Sequence, residues 1–222
     1  GRNDLLTVAL KGTYLDLANY FPALGGGAAA KAPADNRKRS PMTVNAAIET
    51  LTLRPGLDMR KANVTFVTNA TGLQTFSAKG SADDGSSLEA VYDARNANAA
   101  TLKVKSANAG FLSKVVLEAD FLEGGAMTLN GTLPKNGSPS KFDIEITDGR
   151  LHDAPFLTQV LSLASLRGLA DTLSGEGVMF SKIEIPLTVS GGRYIVDGAK
   201  AQGPALGMTA KGYIESKSGK IE

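Results

Sequence analysis

His152 is the only histidine in the 222-residue chain, and Asp153 follows it directly. An imidazole oriented by a carboxylate is a common way to activate a hydroxyl or thiol nucleophile. The remaining parts of such a device are missing: the chain has no cysteine and no Gly-x-Ser-x-Gly elbow. We therefore expect His152 to make a polar contact at a helix entry and not to act in catalysis. Metal binding fails on the same composition, because zinc would need a set built mostly from carboxylates. Asp83-Asp84-Gly85 and Asp93 come nearest to a calcium loop, but the alternating oxygen ligands and closing glutamate are absent. A turn is expected there. Gly25-Gly26-Gly27 and Gly175-Glu176-Gly177 do not lead from a strand into a lysine-bearing helix, so neither reads as a phosphate loop. The expectation is a protein that is not an enzyme, with no cofactor and no metal.

The elements that would position any site are therefore more informative than the titratable residues. Hydrophobic residues make up 42% and charged residues 21%, which fits a globular chain with a sizeable core. The net charge is +2, and Lys31, Asp35, Arg37, Lys38 and Arg39 together carry +3. Positive charge is thus a local property of one segment, and no nucleic-acid partner is expected. No signal peptide or membrane-spanning run is visible. Both ends read as cut from a longer protein, with any membrane anchor expected outside this fragment.

Leu6 to Gly12 alternates apolar and polar residues as a half-buried strand does. Tyr14 to Phe21 reads as a short helix stopped by Pro22. Residues 25–41 are small, basic and aperiodic, and we expect a flexible linker between the segment 1–24 and a β-rich domain over 42–222. Strand patterns then recur at 42–53, 61–69, 72–80, 86–94, 98–105, 125–133, 140–148, 179–190, 193–200 and 206–215. Turn chemistry such as Pro55-Gly56, Asn136-Gly137 and Gly191-Gly192 separates them. Connections this short favour an antiparallel meander. Glycine recurs near strand ends, at Gly12, Gly80, Gly131 and Gly212, where bulges that curve the sheet are expected. Two interruptions are helical: a short stretch over 107–116 and an amphipathic helix over 155–173. The latter would have about 19 residues and a length of roughly 28 Å. The fold class is therefore mainly β: a long curved antiparallel sheet, as an open groove or half-barrel, with one longer amphipathic helix and one or two short ones.

Within this frame the order of segments over 121–215 carries a resemblance. Phe121-Leu122-Glu123-Gly124-Gly125 leads through a strand to Ile146-Thr147-Asp148-Gly149-Arg150-Leu151. Ala154-Pro155-Phe156-Leu157 and Leu173-Ser174-Gly175-Glu176-Gly177 flank the helix, and Gly203-Pro204-Ala205-Leu206-Gly207-Met208 and Gly212-Tyr213-Ile214-Glu215 close the region. This order resembles the C-terminal region of the AsmA-like family of Gram-negative envelope proteins, the TamB- and YhdP-related group. The resemblance implies an inner-membrane-anchored protein with its mass in the periplasm. It also implies an apolar β-groove that carries phospholipid between the two membranes, with no catalytic motif.

The residues expected to contact acyl chains are those on the greasy side of the strand patterns. They are Phe142, Ile144 and Ile146; Ile183, Ile185, Leu187 and Val189; and Leu206 and Met208. Ordinary packing beneath the 155–173 helix is the competing account of each. The alternative function is a structural or interaction scaffold supporting outer-membrane protein assembly, with envelope proteins as partners.

Overall fold

Tight turns determine how this chain pairs. Gly191 and Gly192 both adopt positive φ, at 57° and 80°. That is the backbone of the two-residue hairpin turn whose twist matches its flanking strands. The computed structural model describes residues 6–18, 41–153, 176–204 and 206–215. They form strands β1 (Leu6–Asp16), β2 (Met42–Arg54), β3 (Leu57–Asn69), β4 (Gly72–Ser81), β5 (Ser87–Asp93) and β6 (Ala99–Ser106). Helix α1 (Ala109–Leu117) follows, and then β7 (Leu122–Pro134), β8 (Ser140–Leu151), β9 (Val178–Ser190), β10 (Arg193–Gln202) and β11 (Gly207–Glu215). Strand accounts for 72% of the described residues. All eleven strands lie in one sheet whose spatial order is the order of the sequence, and the sheet does not close into a barrel.

The sheet is mixed, which corrects the expectation of a wholly antiparallel one. β1 runs parallel to β2, with Leu6 opposite Met42 and Asp16 opposite Thr52, and every other pair is antiparallel. Two parallel neighbours need a long return connection, and residues 17–41 supply it where a tight turn could not. The expected helix from Tyr14 is also corrected at its start. Tyr14, Leu15 and Asp16 continue β1 and pair with Thr50, Leu51 and Thr52, because β2 extends far enough to offer them backbone partners. The amphipathic helix expected over 155–173 lies outside the described residues, as does the expected linker apart from Pro41. Among the described residues no helix of about 19 residues occurs; the one α-helix is α1, nine residues long, where the short helical stretch over 107–116 was expected.

Two apolar clusters sit at the same end of the strands. One gathers Leu122, Ile146, Leu151, Val178, Phe180, Ile183 and Ala201 from β7 to β10. The other packs Phe111, Leu112 and Val115 of α1 on Ile48, Leu51 and Leu53 of β2, Met59 and Ala62 of β3, and Leu88 of β5. α1 is capped by Asn108, whose side chain accepts from the Phe111 N–H, and ends at Glu118 in the left-handed region. Its residues reach strands that a flat sheet would hold far apart. Arg54 at the end of β2 donates from Nε to the Val115 carbonyl at 2.5 Å. At Gly110 an added Cβ would meet the Leu122 carbonyl of β7 at 2.5 Å. Five strand spacings amount to roughly 24 Å, whereas five helical residues span only about 7.5 Å. The sheet therefore curls around α1 and makes this face concave.

Among the recurring glycines the expected bulge is met at Gly80, which lies opposite the register shift between Arg60 and Asn63 of β3, where Lys61 has φ 50°. Gly80, Gly131 and Gly212 pair in regular register with Leu88, Phe142 and Val196. A second irregularity lies beside Gly212, between Asp197 and Ala199, where Gly198 has φ 81°. Gly131 instead makes room, because a Cβ there would lie 2.6 Å from the Phe142 ring.

Candidate functional site

Register joins the alternating apolar residues into rows that cross the sheet. The first row contains Val8, Val44, Phe66, Phe76, Tyr92 and Leu102 from β1 to β6. It continues through Gly131, Phe142, Leu187, Val196 and Gly212 from β7 to β11, each paired with the next. No polar side chain interrupts it on any of the eleven strands. A second row runs beside it from Leu10 and Ala46 through Val64, Ala78, Ala90 and Val104. It ends through Leu129, Ile144 and Ile185 at the Gly198 irregularity, where pairing between β9 and β10 lapses. From Phe66 to Phe142 the first-row side chains are half-buried, apart from Gly131, which is buried. They form an apolar lane on the concave side.

The other face has the opposite chemistry. One of its rows runs Lys79, Glu89, Lys105, Thr128, Glu145, Glu184 and Lys200 across β4 to β10. Lys79 pairs with Glu89 at 3.0 Å, and Lys182 bridges Glu145 and Glu184 at 3.0 and 2.8 Å. These contacts raise the Lys182 pKa, chiefly through its hydrogen bond to Glu184, and the same bond lowers Glu184. A hollow of about 380 Å³ lies here, lined in part by Asn130, Asp143, Glu145, Glu184 and Lys200.

The residues singled out for chemistry are engaged structurally. The His152 backbone N–H donates to the Phe121 carbonyl, and its Nδ1 lies 3.5 Å from the exposed Asp153 carboxylate. Asp83 accepts from Arg60 Nε at 2.6 Å. Asp84 accepts from the Ser86 backbone N–H and from the Asn108 side chain, and these bonds hold its pKa below the ordinary carboxylate value. Among the described residues no group of three histidine, aspartate or glutamate side chains converges as a metal site.

Asp93 accepts from both the side chain and the backbone N–H of Arg95, and these bonds lower its pKa to about 2. Asp84 and Glu184 are shifted in the same direction. A carboxylate lowered on folding adds stability above its unfolded pKa and loses it as pH falls toward the folded value. Thermal midpoints should therefore be level above about pH 5 and fall between about pH 4 and pH 2. Asp93→Asn should flatten part of that fall in a pH series followed by circular dichroism. An unchanged slope would show that the Arg95 contact does not persist in solution.

All nine residues expected to contact lipid belong to the concave side, but they divide into two groups. Phe142 pairs with Leu187 in the first row, Ile144 pairs with Ile185 in the second, and Val189 pairs with Tyr194 beyond them. Ile146 and Ile183 are 6% and 8% exposed and belong to the cluster around Phe180, against which the half-buried Ile144, Ile185, Leu206 and Met208 pack. Ile146 and Ile183 are thus core at the strand end. Phe66, Phe76 and Tyr92 were not among the expected site residues, although Val64-x-Phe66, Phe76-x-Ala78 and Ala90-x-Tyr92 carry the same alternation. No family model, curated protein or solved structure matches the chain.

Proposed function

We propose that this chain is a non-enzymatic, lipid-handling module of the bacterial envelope, whose concave apolar lane takes phospholipid acyl chains. The observation that carries the reading is the first row, apolar on all eleven strands while the opposite face is charged. A continuous half-buried lane of this kind is the surface on which a methylene chain gains most. Each buried methylene contributes about 0.8 kcal/mol, and the nine strands shared by both rows extend roughly 38 Å across the sheet. No specific polar recognition is needed to hold a chain there. The AsmA-like resemblance supplies the setting: an inner-membrane-anchored protein of the periplasm that passes phospholipid toward the outer membrane.

A photoreactive phenylalanine analogue tests this when placed at Ile144 or Ile185 on the lane, or at Asp143 on the charged face. Irradiation in cells followed by mass spectrometry should recover phospholipid adducts from the two lane positions and little from Asp143. Equal yields from both faces, or none from either, would remove the lipid assignment.

The edge strand supports a second reading, a scaffold for outer-membrane protein assembly. Leu6, Leu10, Tyr14 and Leu15 of β1 are all at least 40% exposed, and a long apolar edge is a template for a further strand. Protein adducts from Leu10 with no lipid on the lane would favour that account.

A further inference from the structure

The connection between β6 and β7 departs from the tight turns that join β2 to β3, β3 to β4 and β9 to β10. It spends residues 107–121 on a helix that lies on the concave face. Phe111, Leu112 and Val115 pack against the cluster that also draws in Ala46, Val64, Ala78 and Val104, four members of the second row. α1 thus covers apolar surface that belongs to the lane, using side chains of the same character as an acyl chain.

Its two ends are held differently. At the start, Gly110 is packed so closely on β7 that a Cβ would strike the Leu122 carbonyl, and Asn108 is tied to Asp84 at 2.7 Å. At the far end the polar tie to β2 is one side chain, beside the apolar packing of Val115 in the shared cluster. Arg54 donates to the Val115 carbonyl and pairs with the Glu118 carboxylate, while its second terminal nitrogen is buried without a partner. A latch with an unsatisfied buried donor is weaker than one that uses all its nitrogens.

We propose that α1 is a hinged plug. Pivoting at Asn108–Gly110 and released at Arg54, it swings off the β2–β5 half of the lane when an acyl chain enters. The proposal rests on the lipid reading and adds a closed and an open state to it. A ligand that binds only the open state has its affinity reduced by the open fraction, so weakening the latch strengthens binding.

The test uses the full chain and cis-parinaric acid, a fluorescent polyene fatty acid. Arg54→Gln should tighten its apparent Kd roughly three- to tenfold, the gain expected when one partly buried ion pair no longer holds the closed state. Because the chain has no native cysteine, Arg54→Cys combined with Glu118→Cys can be joined by a bis-maleimide. The joined form should bind more weakly than the native chain. Hydrogen exchange on the native protein gives a readout that needs no variant: fatty acid should accelerate exchange in 109–117 while slowing it in β3 to β6. Protection or no change in 109–117, or an unaltered Kd in Arg54→Gln, overturns the plug while leaving the lipid reading intact. No fluorescence gain with any form removes both.

Discussion

Phe180→Ala should be the most damaging single truncation in the described core. Phe180 is 0% exposed and is the largest fully buried side chain there, packed among residues of β7, β8, β9 and β10. Removing a buried phenyl ring costs its transfer free energy and leaves a cavity that the neighbours fill only in part, together about 3–5 kcal/mol. For a chain of this size that loss lowers the thermal midpoint by on the order of 10 °C. The informative comparison is Phe142→Ala, which removes the same ring from the half-buried lane and should cost less than half as much. Urea unfolding of both variants decides the matter. Equal losses would mean that the lane is packed as tightly as the core, leaving no surface for a ligand.

Gly80→Val should be the next most costly. A Cβ at this position would lie 2.7 Å from the Arg60 carbonyl oxygen and 2.7 Å from the Met59 methyl carbon. The methionine can bend away, but the carbonyl belongs to the neighbouring strand and cannot move without disturbing the ladder. Overpacking of this kind costs about 1–3 kcal/mol. Met59→Ala in the same chain should return the share due to the side chain and leave the backbone share, so a double-mutant cycle separates the two. Complete rescue would show that β3 yields at this position, contrary to a rigid close approach.

The strands were legible because period-2 alternation is a local signal. Residues 140–148 and 179–190 were expected from Phe142, Ile144, Ile183 and Ile185, and the observed strands contain them with one to three further residues at an end. What alternation cannot supply is register, and the lane exists only through register. Phe66 faces Phe76, and Phe76 faces Tyr92, because the hairpin turns place them so. Nothing within any one strand indicates that row. β1 was shortened for a related reason: Tyr14-Leu15-Asp16 has no strong preference of its own and takes its conformation from Thr50–Thr52, a partner distant in sequence. The glycines were ambiguous in another way. A glycine within a strand can signal either a bulge or a close neighbour, and only the position of the Phe142 ring shows which applies at Gly131. The split of the nine expected contact residues into lane and core likewise depends on where both apolar clusters gather, at one end of every strand.

The sheet's strand order has a thermodynamic consequence. Each strand pairs only with the strands before and after it in sequence, so apart from the packing of α1 across β2 to β7 the stability of the sheet approximates a sum of nearest-neighbour terms. Such an array loses order from its ends inward, and the β1 end has the least buried material to resist. Native-state exchange should accordingly reveal a graded series of openings, with β1 lowest and the strands around Phe180 highest, in place of one global transition. Outside the β2–β7 span that α1 bridges, the same additivity makes the length of the lane adjustable: inserting or deleting one hairpin changes its extent by two strand spacings.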